Sequence, residues 1–177
     1  SMTVLFLIII LQSALVYNSF KYLDNFSPYL ITMSVTSVLT AVFFDMRIAF
    51  VTTVVASVMA SLITGSSFLY MFVPLFSGLF TMYAVNKIRD IFQFIYRTML
   101  FSFLGTVLTG IGFYLLFHFS YDELFTAVNH SAVAAAVSPL LALTLLTIIE
   151  KVFKMPTDIT LLQLSDMSKP LLRKLQT

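Results

Sequence analysis

The chain has 177 residues, 59% of them hydrophobic and 10% charged, with a mean hydropathy of +0.98. A water-soluble domain carries roughly 25% charged residues, so ten basic and eight acidic side chains cannot cover a water-facing surface, and a single soluble core is excluded. Disorder is excluded by 19 Phe and 8 Tyr, the net charge of +2 gives no footing for a nucleic-acid partner, and the absence of cysteine removes disulfides and thiolate metal sites.

Ser1-Met2 reads as a remnant of tag cleavage and is set apart from the fold. Residues 3–20, 25–44, 48–86, 98–121 and 124–149 contain no Asp, Glu, Lys or Arg. A membrane-crossing helix needs roughly 20 mostly apolar residues, and the 48–86 stretch is long enough for two, divided at Gly65-Ser66-Ser67, where Gly and Ser favour a turn. Six spans result, at about 3–20, 27–44, 48–64, 68–86, 98–118 and 124–150. Residues 4–11 (VLFLIIIL) and 140–149 (LLALTLLTII) are apolar on every side, which suits a helix in lipid rather than an alternating barrel strand. The first span lacks a basic leader and a small-residue cleavage site, so it reads as a retained helix and not a signal peptide.

Basic residues concentrate on the cytoplasmic side of membrane proteins. With six spans, one side holds Arg47, Lys87, Arg89, Arg97, Lys151, Lys154, Lys169, Arg173 and Lys174, and the other holds Lys21 alone. Both termini are therefore expected in the cytoplasm, and a count of five or seven would destroy the asymmetry.

Within the spans, Gln12 and Asn18 are candidate interhelical hydrogen-bonding groups. Pro28 begins span two, where its missing N–H costs little; Pro74 and Pro139 fall inside spans and should kink them, with Pro139 the candidate hinge. Ser57, Ser61, Gly105, Thr109 and Gly112 put small side chains at helical spacing and read as close helix contacts. Between spans four and five, residues 86–97 (NKIRDIFQFIYR) place Ile88, Ile91, Phe92 and Ile95 on one face, the pattern of an amphipathic helix at the interface or extending from a span. On the outer side Tyr121 precedes a polar cluster of Asp122, Glu123, Asn129 and His130, readable as a wet interfacial cap or as part of an outward-facing ligand site. The stretch 121–154 exceeds one straight crossing, so an interfacial turn before the span is expected.

Catalysis by the chain itself has little support. Metal chemistry needs converging His, Asp, Glu or Cys groups, and the chain has only His118 and His130. Ser77-Gly78 with His130 could mimic the Ser/His pair of a six-span intramembrane protease, but Ser77 lies in PLFSGLF without the expected preceding Gly, and span two has no His. No glycine-rich phosphate loop occurs. No catalytic, cofactor-binding or metal-ligating residue is therefore assigned.

After Phe153 the character changes. Thr157 can cap a short helix through Leu164, and Ser168 a second beginning near Lys169-Pro170. Leu161, Leu162, Leu164, Leu171, Leu172 and Leu175 are too apolar for a free tail, so residues 155–177 read as a short helical cytoplasmic linker toward a further domain. The run Thr157-Asp158-Ile159, Leu161-Leu162, Leu164-Ser165-Asp166, Pro170-Leu171-Leu172 and Lys174-Leu175 resembles the juncture of the seven-transmembrane HD-phosphohydrolase receptors, a group that includes PgpH-type cyclic-di-AMP phosphodiesterases. Ser27-Pro28-Tyr29-Leu30-Ile31, Asp45 with Arg47, and Glu150-Lys151 look like the same family. Gln163 stands where Glu is usual and Lys169 where His is common before Pro.

The resemblance implies an all-α integral membrane protein of the bacterial plasma membrane: residues 3–154 as the last six of seven helices, and residues 155–177 as the coupling linker. An extracellular sensor domain and a cytoplasmic HD domain would be its own partners, with a homodimer possible. The HD domain would hold two divalent metal ions (Mn or Fe) and hydrolyse cyclic-di-AMP, so the full protein is expected to be a hydrolase and this segment its signalling or anchoring module. Two rival readings stay open: a six-helix substrate-binding subunit of a vitamin-type transporter, using the outer polar cluster, and a passive membrane anchor.

Overall fold

A computed structural model describes residues 2–22, 33–65, 68–86, 88, 90–118, 120–154 and 161. These form six helices and no strand: α1 (Met2–Tyr22), α2 (Met33–Phe43), α3 (Met46–Ile63), α4 (Phe68–Ala84), α5 (Ile91–Phe117) and α6 (Tyr121–Phe153). Each overlaps one of the six expected spans, α5 starting seven residues before its span. By length and composition α1, α3, α5 and α6 can each cross a membrane, whereas α2 and α4, with 11 and 17 described residues, are shorter. The expected start of span two, including Pro28 and residues 27–31, lies outside the described residues.

Local chemistry sets the helix ends. The Asp45 carboxylate accepts the Met46 N–H at 2.8 Å and starts α3. Thr64 closes α3, and Gly65 follows with φ +90°, a left-handed conformation that glycine adopts without Cβ strain. This is the break expected at residue 65. His118 and Lys154 end α5 and α6 in the left-handed region, at φ 54° and 52°.

The helices pack around α2. It lies against all five others, and around it α1, α3, α4, α5 and α6 touch in that sequence. Residues 34–40 of α2 are all buried, four of them hydroxyl-bearing. The outer helices turn seams of small residues inward: Ala49, Thr53, Ala56 and Ala60 on α3, and Ala127, Ser131, Ala135 and Ala142 on α6. Lipid is as apolar as leucine, so helices in it associate through close packing and hydrogen bonds, and small side chains allow the approach. The outward faces carry the large residues, among them Phe6, Ile10, Phe50, Leu108 and Leu140.

Each end of the bundle is fixed by its own apolar contacts. Val4 and Ile8 near the start of α1, Val38 and Leu39 of α2, Phe94 near the start of α5, and Leu146 and Ile149 near the end of α6 form one buried cluster. At the opposite end Val16 of α1 packs with Ala56 and Ala60 of α3 and with Tyr70 of α4. There Tyr114 near the end of α5 meets Tyr121 at the start of α6, ring centres 5.8 Å apart. The starts of α1 and α5 thus share an end with the finishes of α2 and α6.

Two expectations differ from the structure and one is refined by it. The stretch 121–154 contains no separate interfacial turn: α6 runs unbroken for 33 residues, about 50 Å at 1.5 Å per residue. Residues 91–97 are the first two turns of α5, so the segment extends from a span, one of the two forms expected; Phe92 is 86% exposed, and the fully buried Phe94 is an inward side chain that the pattern did not single out. The inward stripe Phe94, Thr98, Ser102, Gly105 follows spacings of four and three along the long helix. Gly112, finally, is no packing contact, because a Cβ there would meet nothing within 4 Å.

Candidate functional site

Hydroxyl groups dominate the buried polar atoms. Most bond a carbonyl one turn back in their own helix: Thr40 Oγ1 donates to Thr36 O at 2.8 Å, Thr53 Oγ1 to Ala49 O at 2.7 Å, and Ser131 Oγ to Ala127 O at 2.7 Å. Such bonds let a polar side chain sit in a dry interior without an orphaned group. A smaller set joins helices. Ser37 Oγ of α2 and Thr53 Oγ1 of α3 are 2.8 Å apart, a full-strength separation for two hydroxyls. Ser102 Oγ of α5 donates to Ser34 Oγ of α2 at 3.3 Å and lies 3.4 Å from Ser77 Oγ of α4, both longer and weaker. Measured interhelical hydrogen bonds in membranes average about 0.6 kcal/mol, so these contacts fix rotation and register more than they hold the bundle together.

Two glycines bring backbones close around this set. A Cβ on Gly78 would run into the Ser37 hydroxyl and come within 2.6 Å of Thr53 Cγ2. One on Gly105 would lie 2.9 Å from Ser77 Cα and 3.1 Å from Phe76 O. Position 78 therefore seats α4 on the α2–α3 bridge, and position 105 seats α5 on α4.

Thr98 departs from the pattern. Its side chain is fully buried on α5, and Oγ1 has no hydrogen-bond partner among the described residues. A buried hydroxyl without a partner costs roughly 1–3 kcal/mol. Thr98→Val, which keeps the shape and removes the orphan, is expected to stabilise the bundle by about 1 kcal/mol. Denaturation in mixed micelles followed by circular dichroism measures it; a loss of stability would reveal a partner for that hydroxyl.

The polar cluster near the start of α6 is spread along one helix. The Glu123 carboxylate accepts the Ser120 backbone N–H at 3.0 Å and so closes the first turn of α6, with Asp122 beside it and exposed. Asn129, two turns on, is exposed; His130 is half-buried, with Nδ1 shielded and unpartnered among the described residues. A seven-residue spacing puts Asp122 with Asn129 and Glu123 with His130 on neighbouring faces. Among the described residues no three His, Cys, Asp or Glu side chains could hold a metal ion, and no charged side chain is buried.

Pro139 is buried in the middle of α6, and the helix continues through it. Proline lacks the N–H that would bond the carbonyl four residues back, here Ala135 O. Ser138 Oγ donates to that carbonyl at 3.2 Å instead, a substitution by which lipid-embedded helices tolerate proline. Pro74 is likewise buried inside α4, which continues on both sides of it. Gln12 faces inward and is buried, whereas Asn18 is exposed. Ser57 and Ser61 are buried in the α3 seam as expected, and Thr109 Oγ1 donates to Gly105 O at 2.7 Å. Of the linker residues, Leu161 is described and exposed; Thr157, Asp158, Leu162, Leu164, Ser165, Asp166, Pro170, Leu171 and Leu172 lie outside the described residues.

The sequence pattern alone did not single out Ser34, Ser37, Thr53 and Ser102, nor the packing role of Gly78. Their signal is the recurrence of hydroxyls and glycine every three or four residues (34, 37 and 40; 98, 102, 105 and 106), the same small-residue rule applied to only five positions.

A chain whose described elements are all helices, four of them able to cross a bilayer, with outward-facing large side chains and a small-residue interior, is a multi-pass membrane protein. Residues 1–157 match the family described as a 7TM receptor with intracellular HD hydrolase, and the chain belongs to that family. No curated protein and no solved structure matches it significantly.

Proposed function

We propose that this chain is the membrane module of a bacterial HD-domain phosphodiesterase acting on cyclic-di-AMP, and that it relays events at the outer face to the catalytic domain. The observation that carries the reading is the family match over residues 1–157, whose members couple membrane helices to an intracellular hydrolase. The module crosses the plasma membrane six times with both termini in the cytoplasm. The distribution of basic residues supports this orientation, as does the meeting of the α1 and α5 starts with the α2 and α6 finishes in one cluster. The HD domain would follow residues 155–177 and supply the two metal ions, so the chemistry lies outside this chain.

The relay element is α6. It begins at the outer polar cluster, passes Pro139 in the core, packs Leu146 and Ile149 into the inner apolar cluster, and ends at the linker. A transmitted signal needs an element that both ends bias, and α6 is the helix that touches both the outer cluster and the linker. The reading is tested on the full-length protein in lipid vesicles with manganese. Hydrolysis of cyclic-di-AMP to the linear dinucleotide is expected, and its absence would remove the substrate assignment. Pro139→Ala is expected to leave the basal rate unchanged while reducing its response to replacement or removal of the extracellular domain; an unchanged response would leave a passive anchor.

A further inference from the structure

The gap between α4 and α5 is closed at one level and open at another. At Gly105 the two backbones nearly touch, with Ser77 Cα and Phe76 O within about a van der Waals contact of where a Cβ would stand. Seven residues further along α5, Gly112 faces open space. Beyond Gly105 the seam opens into a groove of about 620 Å³, within the roughly 300–1,000 Å³ of small-molecule sites. One wall is a ladder of Phe68, Phe72, Phe76 and Phe80 on α4, and the other carries Gly112 and Phe113 on α5. The rings are stacked into a continuous surface: Phe68 on Phe72 and Phe72 on Phe76 at 6.3 Å, with Phe72 meeting Phe113 at 6.2 Å.

Size and shape choose the occupant. Up to the Gly105 contact the ladder runs from Phe68 to Phe76, with Phe80 at its floor: eight residues, about 12 Å along the axis, close to one leaflet of a hydrocarbon core roughly 30 Å thick. A seventh helix or a second copy would need a groove running the full thickness, and this one is blocked at its inner end by the Gly105–Ser77 contact. Its rim, with Phe68 and Leu116 largely exposed, is continuous with the lipid-facing surface. We infer that the α4–α5 groove is a lipid site that seats one acyl chain of a phospholipid, entering from the leaflet that borders the end of α5. In the proposed orientation this is the outer leaflet, and the bound chain props apart the two helices that Gly105 clamps together. The inference goes beyond the relay reading and needs only that the bundle sits in a bilayer.

The chain has no tryptophan, so a single introduced indole reports its own surroundings. Leu116 lines the groove; Leu115, one residue away at the same depth, is exposed and does not. Leu116→Trp and Leu115→Trp are each placed in phosphatidylcholine vesicles containing a rising fraction of phosphatidylcholine brominated midway along its chains, and fluorescence quenching is measured. At low brominated fraction the Leu116→Trp reporter is expected to be quenched about twofold more than Leu115→Trp and to saturate, as occupancy of a site does. Adding Gly112→Leu, which fills the open space, should bring it down to the Leu115→Trp curve. Identical curves for the two reporters would overturn the site, as would a Leu116→Trp reporter shielded from bromine by another protein segment, or a steep curve indifferent to Gly112→Leu.

Discussion

Gly105→Leu is expected to pry α4 from α5 and to cost the bundle several kcal/mol, whereas Gly112→Leu on the same helix should cost nothing and raise stability by up to about 1 kcal/mol. The atoms facing position 105 belong to the Ser77 and Phe76 backbone, 2.9 and 3.1 Å from where a Cβ would stand, and backbone cannot swing aside as a flexible side chain can. Overpacking of this kind costs roughly 1–3 kcal/mol and more when backbones must move. The displacement would also stretch the Ser77–Ser102 and Ser102–Ser34 contacts, which are already long. Position 112 faces open space, and replacing glycine in a helix interior recovers roughly 1 kcal/mol of propensity. Thermal unfolding of the detergent-solubilised protein, followed by size-exclusion chromatography, compares the two. Equal losses would mean that the α4–α5 seam is not the close contact described.

Phe94→Ala should destabilise the end of the bundle where α1 and α5 begin by about 2–4 kcal/mol, below the roughly 3–5 kcal/mol for emptying a Phe site in a water-soluble core. Phe94 is among the largest fully buried side chains and sits in the cluster that joins α1, α2, α5 and α6. In lipid the transfer term is small, because the alternative surroundings are also apolar, so the loss comes from the cavity and the missing contacts. Phe92→Ala, two residues away on the exposed face, is expected to change stability little. Denaturant titration in mixed micelles distinguishes them. A larger effect at Phe92 would restore the amphipathic face expected from the sequence of residues 86–97 and displace Phe94 from the core.

Much of the fold was legible because charge is scarce. Runs without Asp, Glu, Lys or Arg locate all six helices though not their ends, and Gly65 marks the break within the longest run. What sequence reasoning missed was facing. In a lipid-embedded helix both faces are apolar, so residues 91–97 give an amphipathic pattern that does not identify the buried side; Phe94 is placed by the four-residue spacing to Thr98 and Ser102 further along the helix. The length of α6 was visible, but its continuity was not: a capping carboxylate at Glu123 starts the helix at residue 121, and the Ser138 hydroxyl at Ala135 O accompanies it through Pro139, so one helix runs through the stretch where a separate turn was expected. For the candidate site, Asp122, Glu123, Asn129 and His130 were correctly seen as near neighbours in sequence, yet helical geometry distributes them over two turns. The buried hydroxyl bridges involve residues as far apart as Ser34 and Ser102, a separation that no local pattern encodes.

The central claim is a module that crosses the membrane with both ends inside, and the absence of cysteine makes it directly measurable. Single-cysteine variants Tyr22→Cys, Asp90→Cys, Asp122→Cys and Lys154→Cys all alter exposed positions, two at each end of the bundle. In intact cells a membrane-impermeant maleimide should label the Tyr22 and Asp122 variants, and should reach the Asp90 and Lys154 variants only after permeabilisation. Labelling of the Asp90 or Lys154 variant in intact cells, with the Tyr22 and Asp122 variants protected, would contradict the account by turning the linker away from the cytoplasm.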